Sequence, residues 1–265
     1  MNRFVLIDFF LFVNYLSSQT IKPADTMHVN YIGQEHGLLQ LNVKDMTLDE
    51  LGYLWAGTED GLHRFNGYEF KTYLHNPLDS TAIKDDHVRG LLFTKDTLWI
   101  ATNSNGISGF IPSENRFFSL IKNENQDLNI SYKIMRLGKN FILFSVKNNL
   151  ILFNRYTKSS KIIKLPKTTK ESYISAILKI DKNNYWLANT SGILALNTET
   201  YDIKKTAILD GENIKCFYKN GHSIYIGTEK GLFIYNASSQ QISKTPLTFS
   251  INCFKKLRES QFYIG

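Results

Sequence analysis

A short motif, an aromatic residue followed by small residues and a glycine, recurs through the chain at nearly constant spacing. Successive copies lie 38 to 44 residues apart, close to the roughly 40–50 residues that a four-stranded propeller blade requires. The aromatic or apolar markers of the copies are Trp55, Trp99, Ile142, Trp186, Tyr225 and Tyr263. Because repeats of this length bury their apolar faces against one another, the period predicts an array of stacked units.

Each copy has the pattern of a β-hairpin. Apolar residues alternate with other residues, as in Ile224 and Ile226, and a glycine such as Gly231 permits a tight turn into a second apolar strand. One short strand precedes each hairpin and another follows it, without helical periodicity between them. We therefore predict an all-β fold, a β-propeller of four-stranded antiparallel blades in an open or incomplete ring. The predicted blades are residues 43–83, 84–126, 127–170, 171–211 and 212–248, with the start of a sixth at 249–265.

The first residues have the composition of an export signal. Arg3 precedes an apolar run over residues 4–16, and small and polar residues follow it. The run is shorter than the about 20 residues that a membrane-spanning helix needs. Asp8 interrupts it, which weakens the pattern of a signal peptide. We predict a signal peptide over residues 1–18, with a hydrophobic strand or an uncleaved anchor as the alternatives. Residues 19–42 are predicted to hold a lone strand, Met27–Ile32, that closes the ring, and a lead-in to the first blade.

Basic residues outnumber acidic ones but are scattered. The formal net charge is +7, yet no element gathers basic residues and aromatics as a nucleic-acid-binding module does. The nearest approach to a basic run is Lys158, Lys161, Lys164, Lys167 and Lys170. We interpret these lysines as a solvated outer strand and loop that protect a sheet edge. We expect contact with neither nucleic acid nor membrane by the mature chain.

The two cysteines occupy equivalent positions of successive repeats. They lie in the segments Ile214-Lys215-Cys216-Phe217 and Ile251-Asn252-Cys253-Phe254. Equivalent residues of neighbouring blades share an orientation, whereas a disulfide needs Cα atoms within roughly 7 Å that face each other. We therefore predict two buried free thiols.

Residues suited to catalysis or metal binding form no recognisable pattern. The six histidines, at positions 28, 36, 63, 75, 87 and 222, lack the spacing of a zinc site. Asp79, Asp85 and Asp86 form an acidic cluster without the alternation of a calcium loop. We interpret His63 and His87 as structural, and we expect no catalytic, metal-binding or cofactor-binding residue and no cofactor. Paired carboxylates contributed by different blades stay an open alternative, because sequence spacing does not reveal them.

The three tryptophans offer two interpretations. Aromatic rings can bind sugars, but Trp55, Trp99 and Trp186 occupy the repeat position. We therefore predict that they pack between blades. Ligand contacts in repeat proteins come mainly from loops on one face, and the loops at 76–86, 104–105 and 123–129 are the candidates. No single ligand-binding residue is assigned.

One set of residues runs from the lead-in to the start of the second repeat: Gly37-Leu38, Leu54-Trp55-Ala56-Gly57-Thr58, Gly61-Leu62, Arg64-Phe65-Asn66-Gly67-Tyr68, Phe70, Tyr73, His75-Asn76-Pro77, Asp79 and Val88-Arg89. With these residues the first two repeats resemble two-component regulator propellers, the periplasmic sensor region of Bacteroidetes hybrid histidine kinases. The third repeat departs from the pattern, because Phe144 and Asn149 replace a small residue and a glycine, which leaves the regularity of that blade open.

The resemblance implies a non-catalytic periplasmic sensor that detects a glycan-derived oligosaccharide and signals through a kinase phosphorelay. Relatives of this kind continue into further propeller blades, a membrane helix and kinase domains, which this chain does not contain. We therefore expect an N-terminal fragment that is not an enzyme, with exposed sheet edges that favour self-association. Whether it forms a homodimer is left open.

Two other functions remain as alternatives. One is a secreted propeller enzyme, a lyase or glycoside hydrolase, which would need charged residues that converge at the inner strand ends. The repeats show mostly apolar or small residues there, which disfavours an enzyme. The other is a protein-binding scaffold of the WD-repeat kind.

Overall fold

The computed structural model of the chain describes residues 30–121, 129–166, 173–258 and 261–264. The chain divides into units of residues 1–32 and 33–265, and the architecture below is that of the second unit. The predicted signal peptide, residues 1–18, lies outside the described residues. The predicted lone strand, Met27–Ile32, is not found where it can be followed, because residues 30–32 are not in a strand and Tyr31 is 67% exposed. Among the described residues of the lead-in, the one regular element is a 3-10 turn, Gln34–His36.

In the described residues, five four-stranded antiparallel sheets follow one another along the chain, and a two-stranded sheet comes after them. In every sheet the strands pair in chain order, so each sheet is a meander with the form of a propeller blade. Blades one and two consist of β1 (Asp45–Leu48), β2 (Leu54–Thr58), β3 (Gly61–Phe65), β4 (Phe70–Tyr73), β5 (Val88–Thr94), β6 (Thr97–Thr102), β7 (Ile107–Ile111) and β8 (Arg116–Ile121). Blades three and four consist of β9 (Ser131–Leu137), β10 (Phe141–Val146), β11 (Asn149–Asn154), β12 (Ser159–Lys164), β13 (Ile174–Lys179), β14 (Asn184–Asn189), β15 (Gly192–Asn197) and β16 (Ile203–Lys205). Blade five and the two-stranded sheet consist of β17 (Ile214–Asn220), β18 (Ser223–Thr228), β19 (Gly231–Asn236), β20 (Gln241–Lys244), β21 (Phe254–Arg258) and β22 (Gln261–Ile264).

The first strand of each blade is the innermost. Contacts between neighbouring blades run from β1 to β5, then to β9, β13, β17 and β21. The fold is therefore the predicted all-β, open propeller, with its first strands arranged around the axis.

The apolar core lies between the blades. One cluster joins Trp55 and Leu62 of blade one to Leu98 and Phe110 of blade two, and a second joins Trp99 of blade two to blade three. Three further clusters occupy the next three interfaces. This arrangement confirms that the tryptophans pack between blades. Truncation of such a buried aromatic residue to alanine costs about 3–5 kcal/mol.

The turn between the second and third strands repeats one hydrogen-bond pattern. The Thr58 hydroxyl donates to the carbonyl of Gly61, and the Thr228 hydroxyl donates to that of Gly231. Gly231 has φ of 123°, which an L-residue with a side chain seldom adopts.

Blade three forms a hairpin turn of the same length, in which Val146 pairs with Asn149 at the glycine position, but the left-handed residue is the preceding Asn148, φ 54°. Asparagine tolerates this region better than most residues. Phe144 is fully buried against blade two, where it contacts Trp99. The two departures from the motif therefore leave blade three regular.

The prediction for the cysteines is half right. Both thiols are free, but Cys216 is buried and Cys253 is exposed. The Cys216 thiol donates to the carbonyl of Ile251 in the following repeat, whereas Cys253 comes just before β21 of the last described sheet, and no described blade covers it. Burial, with a smaller contribution from the nearby Cys253, raises the pKa of Cys216 to about 12.

Candidate binding site on the axial rim

The innermost strands of blades two to five each begin with a β-bulge. The ladder between the first and second strands skips Arg89 in blade two, Tyr132 in blade three, Ser175 in blade four and Lys215 in blade five. Bulges re-aim side chains and are frequent beside functional sites. Here they bring equivalent residues of four blades to the end of the axis where the first strands begin. We name the polar residues at this end the axial rim: Lys44, Glu59, His87, Arg89, Tyr132, Tyr173, Ser175 and Lys215.

Three bulged residues contact the next blade. The Arg89 guanidinium lies over the Tyr132 ring, 5.1 Å from its centroid. The Tyr132 ring stacks in turn on Tyr173, with centroids 4.8 Å apart and planes at 20°. In the next blade the Ser175 hydroxyl donates to the carbonyl of Ile214. The rim is therefore a continuous polar and aromatic surface rather than a set of separate side chains.

Arg89 has unused hydrogen-bonding capacity. Its Nε is buried and has no hydrogen-bond partner among the described residues. A buried donor without a partner costs about 1–3 kcal/mol.

Glu59 lies among basic side chains. Its carboxylate is 2.7 Å from Lys44 Nζ and 3.9 Å from His87 Nε2. The hydrogen bond and charge of Lys44 lower the pKa of Glu59, and His87 and Arg89 add to the effect. Glu59 is therefore held ionised, whereas the acid of a glycosidase needs a raised pKa.

Asp45 ties three blades together below the rim. Its Oδ2 accepts from the backbone N–H of Leu91 in blade two at 3.0 Å and pairs with Lys133 Nζ of blade three at 3.1 Å. Gly90 makes this possible, because a Cβ at Gly90 would lie only 3.3 Å from the Lys133 Cα. The second carboxylate near the axis is thus also neutralised by a cation.

The expectation of apolar or small residues at the inner strand ends is wrong. Lys44, Asp45, Arg89 and Lys215 lie there. The bulges concealed Arg89 and Lys215 from the sequence pattern, since a bulged residue falls outside the strand alternation. The sequence does contain a signal for basic residues at the inner strand ends: three repeats open with an apolar residue followed by a basic one, as in Val88-Arg89 and Ile214-Lys215.

Two of the three candidate ligand-binding loops contact each other at the end of the propeller where the axial rim lies. The Asp85 carboxylate accepts from the backbone and hydroxyl of Ser104, which joins loop 76–86 to loop 104–105. Asp86 accepts from the backbone of His75, and Asp79 from that of Thr81. The acidic cluster thus fixes loop conformation. The third loop lies outside the described residues except for Asn129.

The histidines serve different local roles. Both ring nitrogens of His63 are hydrogen-bonded, Nε2 to Thr58 and Nδ1 to Thr72, and its side chain is fully buried. Burial lowers its pKa, so His63 is neutral at pH 7. His28 lies outside the described residues. Within residues 30–121, 129–166, 173–258 and 261–264, no group of three potential metal ligands occurs.

Comparison with known proteins supports the resemblance seen in the sequence. No family model matches the chain. Histidine kinase P4 of Formosa agariphila is 53% identical over 47 residues, which are 18% of this chain and 3% of that protein. The extracellular domain of BT3049 from B. thetaiotaomicron, assigned as a hybrid two-component system, superposes with a TM-score of 0.74 at 22% identity over 89% of this chain and 34% of that one.

The predicted resemblance is confirmed. The extracellular domain of a second B. thetaiotaomicron hybrid two-component system, BT4673, matches with a TM-score of 0.59 at 19% identity, over 89% of this chain and 38% of that one. Identities at this level show a shared fold. The chain spans about a third of the length of these solved structures and a small part of the kinase. In the part of the chain that the structure describes, no helix is long and apolar enough to cross a membrane.

Proposed function

We propose that this chain is the N-terminal part of an exported sensor propeller that binds a glycan-derived oligosaccharide on its axial rim. In the complete protein, binding would be reported through a hybrid histidine kinase phosphorelay. The fold shared with extracellular domains of two-component systems supports the sensor role. The observation that carries the ligand class is the Arg89–Tyr132–Tyr173 stack at the open end of the axis.

The chemistry of the rim suits a sugar. Tyr132 is stacked between Arg89 and Tyr173, so a pyranose ring would meet the edge of this stack, where tyrosine hydroxyls can exchange hydrogen bonds with sugar hydroxyls. The Arg89 guanidinium supplies a fixed fork of donors for hydroxyl or carboxylate oxygens. Glu59 supplies acceptors for hydroxyl groups.

A binding experiment tests the ligand class. The purified chain is titrated by calorimetry with xylotriose, cellotriose, mannotriose and laminaritriose. We expect at least one to bind, and Arg89→Ala and Tyr132→Ala each to weaken that binding about tenfold or more, equivalent to about 1.4 kcal/mol. Tyr68→Ala is the control, because Tyr68 is an 85% exposed tyrosine outside the rim. Binding that survives both rim substitutions would refute the site.

The enzyme alternative makes a different prediction. Asp45 and Glu59 are both paired with lysines, which favours binding over acid–base catalysis. If the chain hydrolysed or cleaved the trisaccharides during prolonged incubation, and Glu59→Gln abolished this, the enzyme interpretation would replace the sensor.

Export is tested separately. A fusion of the chain to alkaline phosphatase, which is active only after export, should be active with residues 1–18 and inactive without them. Equal activity of both fusions would contradict a signal peptide in these residues.

A further inference from the structure

A small cleft opens between blades two and three at the opposite end of the strands from the axial rim. Arg89 and Lys95 are six residues apart along β5 and the turn after it, or about 20 Å at roughly 3.3 Å per residue. The cleft has a volume of about 220 Å³. We name it the basic cleft, because its lining includes Lys95, Lys139, Arg155 and Lys158, with Tyr156 beside them and Trp99 among the lining residues.

Three turns bring the cations together. Lys95 lies in the β5–β6 turn, Lys139 in the β9–β10 turn, and Arg155 and Lys158 in the β11–β12 turn. Among the described residues that line the cleft, Asp96 is the one carboxylate, and it accepts a hydrogen bond from the Thr97 hydroxyl. Four cations and one carboxylate therefore face a space that admits a small ligand.

The side chains of these cations have no polar partner in the part of the chain that the structure describes. In residues 30–121, 129–166, 173–258 and 261–264, none of the four forms an ion pair or a side-chain hydrogen bond. Like charges held near one another repel, so the cluster gains nothing within the described fold. An anion in the cleft would relieve the repulsion and use the free donors.

The repeat itself shows that the fold does not demand these charges. In blade five the turn equivalent to Arg155-Tyr156-Thr157-Lys158 is Ala237-Ser238-Ser239-Gln240. Lys158 and Gln240 share the left-handed conformation, φ 56° in both. The same backbone turn is thus built with neutral residues elsewhere in the chain, and the basic set is particular to this interface.

The exposed ring of Tyr156 indicates that the anionic ligand also contains a ring. It is 71% exposed, and an aromatic face beside donors suits a ring-bearing ligand. The volume is below the roughly 300–1,000 Å³ of sites that enclose drug-sized ligands, which limits the ligand to about one sugar ring with an acidic substituent.

We propose that the basic cleft is a second ligand site for a small ring-bearing anion, a monosaccharide with a carboxylate, sulfate or phosphate group. The cations hold the anionic group and Tyr156 covers the ring. This site is independent of the axial rim and of the function proposed for it.

The test is calorimetric titration of the full chain with glucuronate, glucose 6-phosphate, inorganic phosphate and glucose. We expect both sugar anions to bind, glucose not to bind, and added salt to weaken the binding. The double variant Arg155→Ala/Lys158→Gln, which installs the residues of blade five, should weaken binding of the sugar anions by about tenfold or more. Tyr156→Ala should weaken the sugar anions but not inorganic phosphate.

Two controls distinguish loss of the binding site from a general effect of charge and from loss of folding. Lys182→Ala changes a lysine in the corresponding β13–β14 turn of blade four and should leave binding unchanged, and circular dichroism should show the double variant folded. Absence of binding by all the anions, or binding that the double variant does not affect, would overturn the proposal. Inorganic phosphate that binds as tightly as the sugar anions would overturn its sugar component.

Discussion

Replacement of Asp45 by alanine removes contacts that join three blades at once. The Asp45 carboxylate, 18% exposed, accepts from Leu91 N and pairs with the half-buried Lys133. A hydrogen bond to a charged group contributes about 1.5–3 kcal/mol, and an ion pair near the surface adds about 0–1 kcal/mol. We expect Asp45→Ala to lower the free energy of unfolding by about 2–3 kcal/mol.

Urea unfolding, followed by tryptophan fluorescence, measures this change. Trp55 and Trp99 lie in the two interfaces that Asp45 ties, so their emission reports separation of the blades. In a thermal scan the same loss corresponds to a decrease in Tm of roughly 5–10 °C for a domain of this size.

Two further variants show which contacts of Asp45 account for the loss in the free energy of unfolding. Lys133→Met keeps the aliphatic stem and removes the charge, so it should cost no more than about 1 kcal/mol. Asp202→Ala, at an exposed carboxylate outside the interface, should be within about 0.5 kcal/mol of wild type. If Asp45→Ala were as mild as Asp202→Ala, the assignment of Asp45 as a tie between blades would be refuted.

Three further predictions concern single residues. Gly231→Ala should cost at least about 2 kcal/mol, because φ is 123° and the added Cβ would collide with the Leu247 carbonyl; urea unfolding at the wild-type midpoint would contradict this. In mildly alkaline buffer Ellman's reagent should label Cys253 alone, since Cys216 is buried and its pKa is raised to about 12; labelling of both thiols in the folded protein would be inconsistent with the packing of Cys216. Burial lowers the pKa of His63, so the unfolded state binds the proton first and stability should fall as the pH drops below about 6.5; His63→Gln should lack this component, and an identical pH dependence in both proteins would show that His63 does not cause it.

The repeat made the fold predictable from sequence. The marker residues identify the second strand of each blade, and the glycine of each turn fixes where the hairpin reverses. Blade three shows why the pattern tolerates exceptions, since Asn148 supplies the turn conformation and Phe144 fills the interface with Trp99. The fold depends on apolar volume between blades and on one permissive turn residue, and either can be met by more than one residue type.

The candidate sites were less predictable, because they depend on contacts between blades. Arg89 and Tyr132 lie 43 residues apart in sequence and meet only through their equivalent bulges. Lys158 was interpreted with its neighbours as protection of a sheet edge. Lys161 and Lys164 do lie on the outer strand β12, but Lys158 lines the basic cleft, while Lys167 and Lys170 lie outside the described residues. Sequence spacing does not show which turns of adjacent blades converge.

Saturation-transfer difference NMR of the purified chain with the four trisaccharides tests directly whether the axial rim binds a sugar. We expect transfer from the protein to the ring protons of at least one trisaccharide, and loss of that transfer in Arg89→Ala/Tyr132→Ala but not in Tyr68→Ala. Absence of transfer to every sugar, or transfer that persists in the double variant, would contradict sugar binding at the axial rim.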